Sequence, residues 1–186
     1  STLMRSSAAS DVYKRQMVHK QIIGLFVRNY TGVLQRVTSL FTRRGFNIDS
    51  LTVSPTNKEG YSRITVRILG DDEQLSQFIN QMMKLNDVKK VEVLPESSSV
   101  ISELIFIKVK INSEDRNKIL TAASSYHASV VDLGETSATF RASGLPSEID
   151  ELVSRLEPFG IMELVRTGAI ALHSGDECIA DDLDID

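Results

Sequence analysis

From Gln21 to Val53 the chain reads QIIGLFVRNYTGVLQRVTSLFTRRGFNIDSLTV. Its apolar run Ile22–Val27 is short and bounded by polar residues, which predicts a buried strand. The residues at 29–32 are polar or glycine and are typical of a turn. Apolar side chains then recur at helical spacing, at Val33, Val37, Leu40 and Phe41, which predicts a helix with one buried face. Gly45 can end that helix in a left-handed conformation, and a second strand follows from Phe46.

The predicted turn carries groups that suit a small zwitterion. Gly32 has no side chain, so a ligand can approach the unpaired amides at the start of the helix, whose positive end suits a carboxylate. Thr31 is predicted to be the N-cap of that helix. Asn29 and Asn47 offer both donors and acceptors, the mixture that an amino acid needs. The alternative is that Gly32 only shapes a turn and the two asparagines only bond the local backbone.

Two runs in this stretch, Asn29–Val37 and Leu40–Val53, closely resemble the small regulatory subunit of acetolactate synthase, also called acetohydroxyacid synthase. The segment Arg-Gly-Phe-Asn-Ile-Asp-Ser-Leu at 44–51 is more specific than a generic ACT-domain turn. The resemblance extends from about His19 to about Gly175 and includes Tyr61–Thr65 and Glu163–Gly168. It implies an α+β protein with two ferredoxin-like βαββαβ domains, of which the first is an ACT domain.

The resemblance also implies a function. Proteins of this family bind the catalytic subunit, raise its activity and confer feedback inhibition by valine or a related branched-chain amino acid. Thiamine diphosphate, FAD and magnesium are expected in the catalytic partner and not in this chain, which is expected to have no catalytic residues and no metal. A cytoplasmic location fits this role. The alternative is a stand-alone amino-acid-sensing ACT protein that regulates another enzyme.

The family geometry suggests where the effector binds. Two ACT domains pair edge to edge as a homodimer, so the strand-turn-helix of one copy meets the second strand of its partner. The effector carboxylate would bind the amides near Gly32 and Val33, and its ammonium would lie near the Asn side chains. Its apolar side chain would rest among Val33, Leu34 and Ile48. The effector-binding residues expected from this geometry are Asn29, Thr31, Gly32, Val33, Leu34, Asn47 and Ile48.

Composition excludes several other classes of protein. The 186 residues leave room for two small domains. A net charge of −4 and a pI near 5.4 argue against a nucleic-acid or anionic-membrane partner, and no apolar run is long enough to cross a bilayer. The one cysteine, Cys178, fits a reducing compartment. The three histidines match no metal-ligand spacing.

The same order of elements occurs twice in the chain. After the opening stretch, a strand at Tyr61–Leu69, a helix capped by Asp71 or Asp72 and a strand ending at Val93 complete one βαββαβ unit. A second unit begins near Leu104. Its predicted strands lie at 105–111, 128–133, 138–142 and 161–165, and its predicted helices at 113–126 and 149–156.

Domain boundaries follow from this repeat. Residues 1–16 have no periodicity and are interpreted as a non-native or disordered leader, with a transit peptide as the alternative. Residues 17–95 form the predicted ACT domain, 96–103 the linker and 104–175 the second ferredoxin-like domain. Residues 176–186 are acidic and predicted to be disordered.

Two other functions are alternatives to ligand sensing, RNA binding and independent catalysis. RNA-binding modules of this fold stack bases on aromatic side chains of the central strands. The predicted exposed side of the third strand instead shows Arg63, Thr65 and Arg67, with only Tyr61 at its edge. An independent enzyme would need a convergent set of acid, base or nucleophilic residues, and no such motif occurs; Glu59 and Arg63 are interpreted as solvated charges.

Overall fold

A computed structural model of the chain describes residues 19–181 and residue 183. The described residues divide into two compact units. The first unit combines the chain up to Val100 with the residues from Ala171 onward, and the second is the continuous segment Ile101–Ile170. The predicted leader at 1–16 lies outside the described residues. Among the helices that are described, none is both long and apolar enough to span a membrane.

The first unit has the order βαββαβ. Its elements are β1 (His19–Arg28), α1 (Val33–Arg44), β2 (Asn47–Pro55), β3 (Tyr61–Gly70), α2 (Asp72–Met82) and β4 (Val88–Val93). The strands form an antiparallel sheet in the order β2-β3-β1-β4. This is the ferredoxin-like arrangement predicted from the sequence.

One face of this sheet packs against both helices. Ile23, Leu25 and Val27 of β1 share a core with Val37 of α1 and Phe78 of α2, all of them buried. Burial of a large aliphatic or aromatic side chain contributes about 1.5–3 kcal/mol to stability. The Phe78 ring also contacts two other phenylalanine rings, Phe41 at 5.5 Å and Phe46 at 5.1 Å between centroids. The apolar periodicity of α1 therefore predicted its buried face correctly.

The helix ends differ from the prediction at one residue. Gly32, not Thr31, is the N-cap of α1, because the chain turns at Gly32 with φ 91°, a conformation that glycine adopts readily and threonine does not. Gly45 ends the helix with φ 67°, as predicted. For α2, Asp71 forms a capping box with Gln74, whose backbone amide donates to the Asp71 carboxylate at 2.8 Å.

The polar side of β3 is largely buried, so the prediction that it is exposed was wrong. Thr65 is 4% exposed and Arg67 is 6% exposed. The Arg67 guanidinium is ion-paired with Asp49 of β2. Arg63 lies over Gly24 and donates from Nη2 to the Ala171 carbonyl at 3.0 Å, so it is not a solvated charge. Burial lowers the pKa of Arg63, opposed by nearby Glu92.

Residues after Ala171 complete the first unit. The imidazole Nε2 of His173 lies 3.2 Å from the Glu92 carboxylate of β4, and the Ser174 amide donates to the Ser98 carbonyl at 2.9 Å. Ile179 is buried, 9% exposed. The fold of the first unit therefore extends beyond 176, where the disordered tail was predicted to begin. Of that predicted tail, residues 182 and 184–186 lie outside the described residues.

The second unit repeats the same order. Its elements are β5 (Ser99–Lys110), α3 (Arg116–Ser124), β6 (Ser129–Leu133), β7 (Ser137–Gly144), α4 (Pro146–Leu156) and β8 (Ile161–Arg166). The sheet order is β6-β7-β5-β8. A further short strand, β9 (Ile170–His173), begins at the last residue of this unit and continues in the first unit. Ile105, Ile107 and Val109 of β5 lie in a core with Ile119 of α3 and Leu152 of α4. The predicted internal repeat is confirmed.

Two differences from the predicted boundaries concern β5 and the linker before it. The predicted linker at 96–103 contains a short 3₁₀ turn, Glu96–Ser98, and the first residues of β5. Glu103, within that segment, is only 2% exposed. The Arg166 guanidinium of β8 donates two hydrogen bonds of 2.8 Å to the Glu103 carboxylate. It donates a third, of 2.7 Å, to the Asp150 carboxylate of α4. This ion pair keeps the charge of Glu103 neutralised inside the second unit.

Candidate ligand-binding site

The turn between β1 and α1 has the local geometry of an anion site, a helix start with no side-chain cap. The Arg36 amide donates to the Gly32 carbonyl at 3.0 Å, and the Val33 amide donates to the Tyr30 carbonyl at 3.3 Å. Leu34 and Gln35 follow in the first turn, where amides have no intrahelical acceptor. In the described chain no side chain caps this helix, and its first turn holds no acidic residue. These amides therefore suit a carboxylate from outside the helix.

The side chains around the turn differ in accessibility. Asn29 and Thr31 are exposed, and Leu34 is 42% exposed, so all three can meet a ligand. Val33 is 3% exposed and lies in the core of the first unit. Its predicted contact with the apolar part of an effector is therefore wrong for the side chain, because helical spacing turns that side chain inward. The Val33 amide already donates to the Tyr30 carbonyl, so the free amides of the first turn are those that follow it.

Asn47 and Ile48 lie at the opposite end of α1 from Gly32. The helix has 12 residues, which corresponds to a length of about 18 Å. Asn47 and Ile48 line a separate surface cavity of about 510 Å³, together with Thr38, Phe41, Thr42, Gly45, Phe46 and Leu51. A single chain thus groups the predicted residues into two half-sites: Asn29 to Leu34 at the start of α1, and Asn47 with Ile48 beyond its end.

Three residues that sequence reasoning missed hold the Gly32 turn in place. The Tyr30 hydroxyl donates to one oxygen of the Asp87 carboxylate, and Arg36 Nη2 lies 2.8 Å from the other oxygen. The Arg36 guanidinium also lies 5.4 Å from the centroid of the Tyr30 ring, within the range of a cation–π contact. We call this group the Tyr30–Asp87–Arg36 clamp. Tyr30 and Arg36 flank the motif, but nothing in the sequence pairs them with Asp87.

The clamp shifts the pKa of both of its acidic groups. The hydrogen bond to Asp87 raises the pKa of Tyr30, with burial and the Asp87 charge adding to that effect. The hydrogen bond from Tyr30 lowers the pKa of Asp87; burial opposes this shift and the positive charge of Arg36 supports it. Both shifts favour a neutral Tyr30 phenol beside an ionised Asp87 carboxylate at neutral pH.

No metal-binding group is apparent in the residues that the structure describes. Among them, no three His, Cys, Asp or Glu side chains are placed together so that they could hold a metal ion. The chemistry available at the turn is therefore that of backbone amides, amide side chains and one ion pair.

Comparison with known proteins identifies the class of the first unit. Residues 23–90 match the family model described as the acetohydroxyacid synthase (AHAS) small subunit-like ACT domain. Residues 102–175 match the model described as the small subunit of acetolactate synthase. The chain is thus an ACT-domain protein with a second ferredoxin-like domain.

Individual relatives agree along most of the chain. The acetolactate synthase small subunit of Mycolicibacterium smegmatis is 39% identical over 153 residues, covering 82% of this chain and 90% of that protein. A probable acetolactate synthase small subunit of Methanothermobacter thermautotrophicus is 40% identical over 155 residues, covering 83% and 92%. The crystal structure of the small subunit from Thermotoga maritima aligns with a TM-score of 0.78 at 29% identity, covering 86% and 99%. This chain belongs to the acetolactate synthase small-subunit family, as its sequence motifs predicted.

Proposed function

We propose that this protein is the regulatory subunit of an acetolactate synthase, without catalytic activity of its own. It binds the catalytic subunit, raises its activity and makes it sensitive to feedback inhibition by valine or another branched-chain amino acid. The catalytic partner holds thiamine diphosphate, FAD and magnesium, and the complex works in the cytoplasm. Family membership over most of the chain supports the partnership. The uncapped start of α1 behind Gly32 is the observation that supports the effector site.

The proposed effector pose uses the two ends of the amino acid separately. The carboxylate accepts hydrogen bonds from the first-turn amides that follow Gly32. The ammonium donates to the side-chain oxygen of Asn29, which is exposed beside the turn. The aliphatic side chain rests on the exposed part of Leu34.

The second half-site comes from another copy of the chain in this proposal. Asn47 and Ile48 lie about a helix length from Gly32 within one chain, so they can meet the same ligand only across a homodimer of ACT domains. Binding across that interface favours one arrangement of the dimer over another. Inhibition is transmitted only to the extent that the effector binds the two arrangements with different affinity.

Reconstitution with the catalytic subunit tests the proposal. Product formation from pyruvate is measured for the catalytic subunit alone, for this chain alone and for the mixture, each with all three cofactors. We expect no turnover by this chain, higher activity of the mixture, and inhibition of the mixture by valine, leucine or isoleucine. Turnover by the pure chain would refute the non-catalytic role. A chain that binds valine but leaves the synthase unaffected would favour a stand-alone amino-acid sensor.

A further inference from the structure

Asp87 lies in the short connection between α2 and β4, far from the Gly32 turn in sequence, and both of its carboxylate oxygens are used by that turn. One oxygen accepts from Tyr30, which precedes Gly32, and the other pairs with Arg36, which follows it. The residue is 8% exposed. A buried carboxylate whose two oxygens each bind a different part of one turn fixes the shape of that turn.

The backbone is held at the same place. The backbone amide of Arg28 donates to the backbone carbonyl of Asp87 at 2.9 Å, and the backbone amide of Asn29 donates to the Gly60 carbonyl at 2.7 Å. The chain is therefore fixed at Arg28, Asn29, Tyr30 and Arg36. Gly32 lies inside this fixed segment, and with φ 91° it has no side-chain contact of its own to maintain its conformation.

Arg36 connects the clamp to Gly32. Its Nη1 would lie 4.0 Å from a Cβ placed on Gly32, so the guanidinium lies beside the open side-chain position of that residue. Asp87 binds the other terminal nitrogen of the same guanidinium. The orientation of Arg36 at the turn thus depends on Asp87 and, through the ring contact, on Tyr30.

We propose that Asp87 and Tyr30 are positioning residues for the effector site. They hold Arg36 and the first-turn amides that follow Gly32 in the arrangement that binds the carboxylate of a branched-chain amino acid. This inference rests on the proposed function. Because binding and the clamp are linked, the effector in turn stabilises the clamp, and the α2–β4 connection takes part in the response to the effector.

The test measures the valine response in the reconstituted complex for Tyr30→Phe, Asp87→Asn and the double variant. Tyr30→Phe removes the hydroxyl and keeps the ring over which Arg36 lies. Asp87→Asn keeps an acceptor for Tyr30 and removes the charge that pairs with Arg36. We expect each single variant to raise the half-inhibitory valine concentration about tenfold. In the double variant the two effects should not multiply, since both break the same clamp.

A matched control is available in the second unit, where the Tyr126 hydroxyl donates to the Glu151 carboxylate at 3.1 Å. Tyr126→Phe removes an equivalent bond and should leave the half-inhibitory concentration unchanged. Thermal unfolding of every variant separates positioning from stability. A change in the unfolding midpoint with an unchanged valine response in Tyr30→Phe and Asp87→Asn would overturn this inference alone. A wild-type complex that responds to no branched-chain amino acid would overturn the proposed function together with it.

Discussion

Replacing Gly32 with aspartate tests the proposed effector site at its centre. An L-residue held at φ 91° carries strain of about 1–3 kcal/mol. No clash adds to this strain, because the nearest atom to the new Cβ would be Arg36 Nη1 at 4.0 Å. A carboxylate at the start of α1 recovers about 0.3–1 kcal/mol from the helix dipole. The net cost of about 1 kcal/mol should lower the unfolding midpoint by roughly 2–8 °C, so the protein stays folded.

The effect of Gly32→Asp on the effector should be much larger than its effect on stability. The new carboxylate takes the place of the valine carboxylate at the first-turn amides and repels it at the same time. Each hydrogen bond to a charged group contributes about 1.5–3 kcal/mol, so the loss of two of them raises the half-inhibitory concentration at least about 100-fold. Inhibition of the reconstituted complex and thermal unfolding are measured on the same preparation.

Two controls separate charge from strain. Gly32→Asn brings the same strained backbone without the negative charge and should retain more of the valine response than Gly32→Asp. Gly175→Asp places the same residue at φ 79° with no neighbour within 4 Å of the new Cβ, away from any helix start, and should leave inhibition unchanged. Full inhibition in a folded Gly32→Asp protein would show that the effector binds elsewhere. That result would also refute the roles proposed for Asn29 and Asn47.

Three further predictions concern stability. Glu103→Ala removes two hydrogen bonds of the Arg166 guanidinium, which keeps its bond to Asp150. It should reduce the free energy of unfolding by about 1.5–3 kcal/mol, measured by urea titration; a loss below about 0.5 kcal/mol would contradict the role of this ion pair. Gly24→Ala places a Cβ 2.5 Å from Nη2 of Arg63 and 3.2 Å from Cδ1 of Leu94, so it should destabilise the protein by about 1–3 kcal/mol. Combining it with Arg63→Ala should remove the larger part of this steric cost and leave the contact with Leu94. The pKa of Asp87 is lowered from 3.8 by its hydrogen bond with Tyr30, so its ionisation stabilises the fold fully above that pH and progressively less below it. The unfolding midpoints of wild type and Asp87→Asn should therefore converge as the pH falls below 3.8. A difference between the two midpoints that stays constant with pH would contradict this.

The elements of both sheets could be predicted from sequence because burial on one face leaves a local pattern. Alternation from Ile64 to Ile68 identified β3, and helical spacing from Val33 to Phe41 identified α1. The short strand β9 was missed, since four residues with no clear alternation leave too little signal. The burial of Arg67 was missed for a different reason: polar residues alternating with apolar ones indicate an exposed face unless partners cover them, and such partners are found only in three dimensions.

The candidate site was predictable where it depends on a single residue type. A glycine between a strand and a helix indicates an accessible helix start, and the φ of Gly32 agrees with that. Asp87 could not be found in this way, because an aspartate in a connection has many possible partners and its sequence separation from Tyr30 is large. The inward direction of Val33 was predictable from its helical spacing with Val37 and Phe41, so a contact of its side chain with the effector conflicted with the predicted buried face.

The discontinuous first unit affects the order in which the chain folds during synthesis. Domains usually fold one after another as they leave the ribosome, with the amino-terminal domain first. Here the carbonyl that binds Arg63 and the imidazole beside Glu92 belong to Ala171 and His173, which are translated only after the whole second unit. The unit that begins first is therefore completed last, while the continuous segment Ile101–Ile170 can fold before it. A nascent chain that stalls before Ala171 carries an ACT sheet with its inner core formed and these polar contacts on the opposite side still unmade.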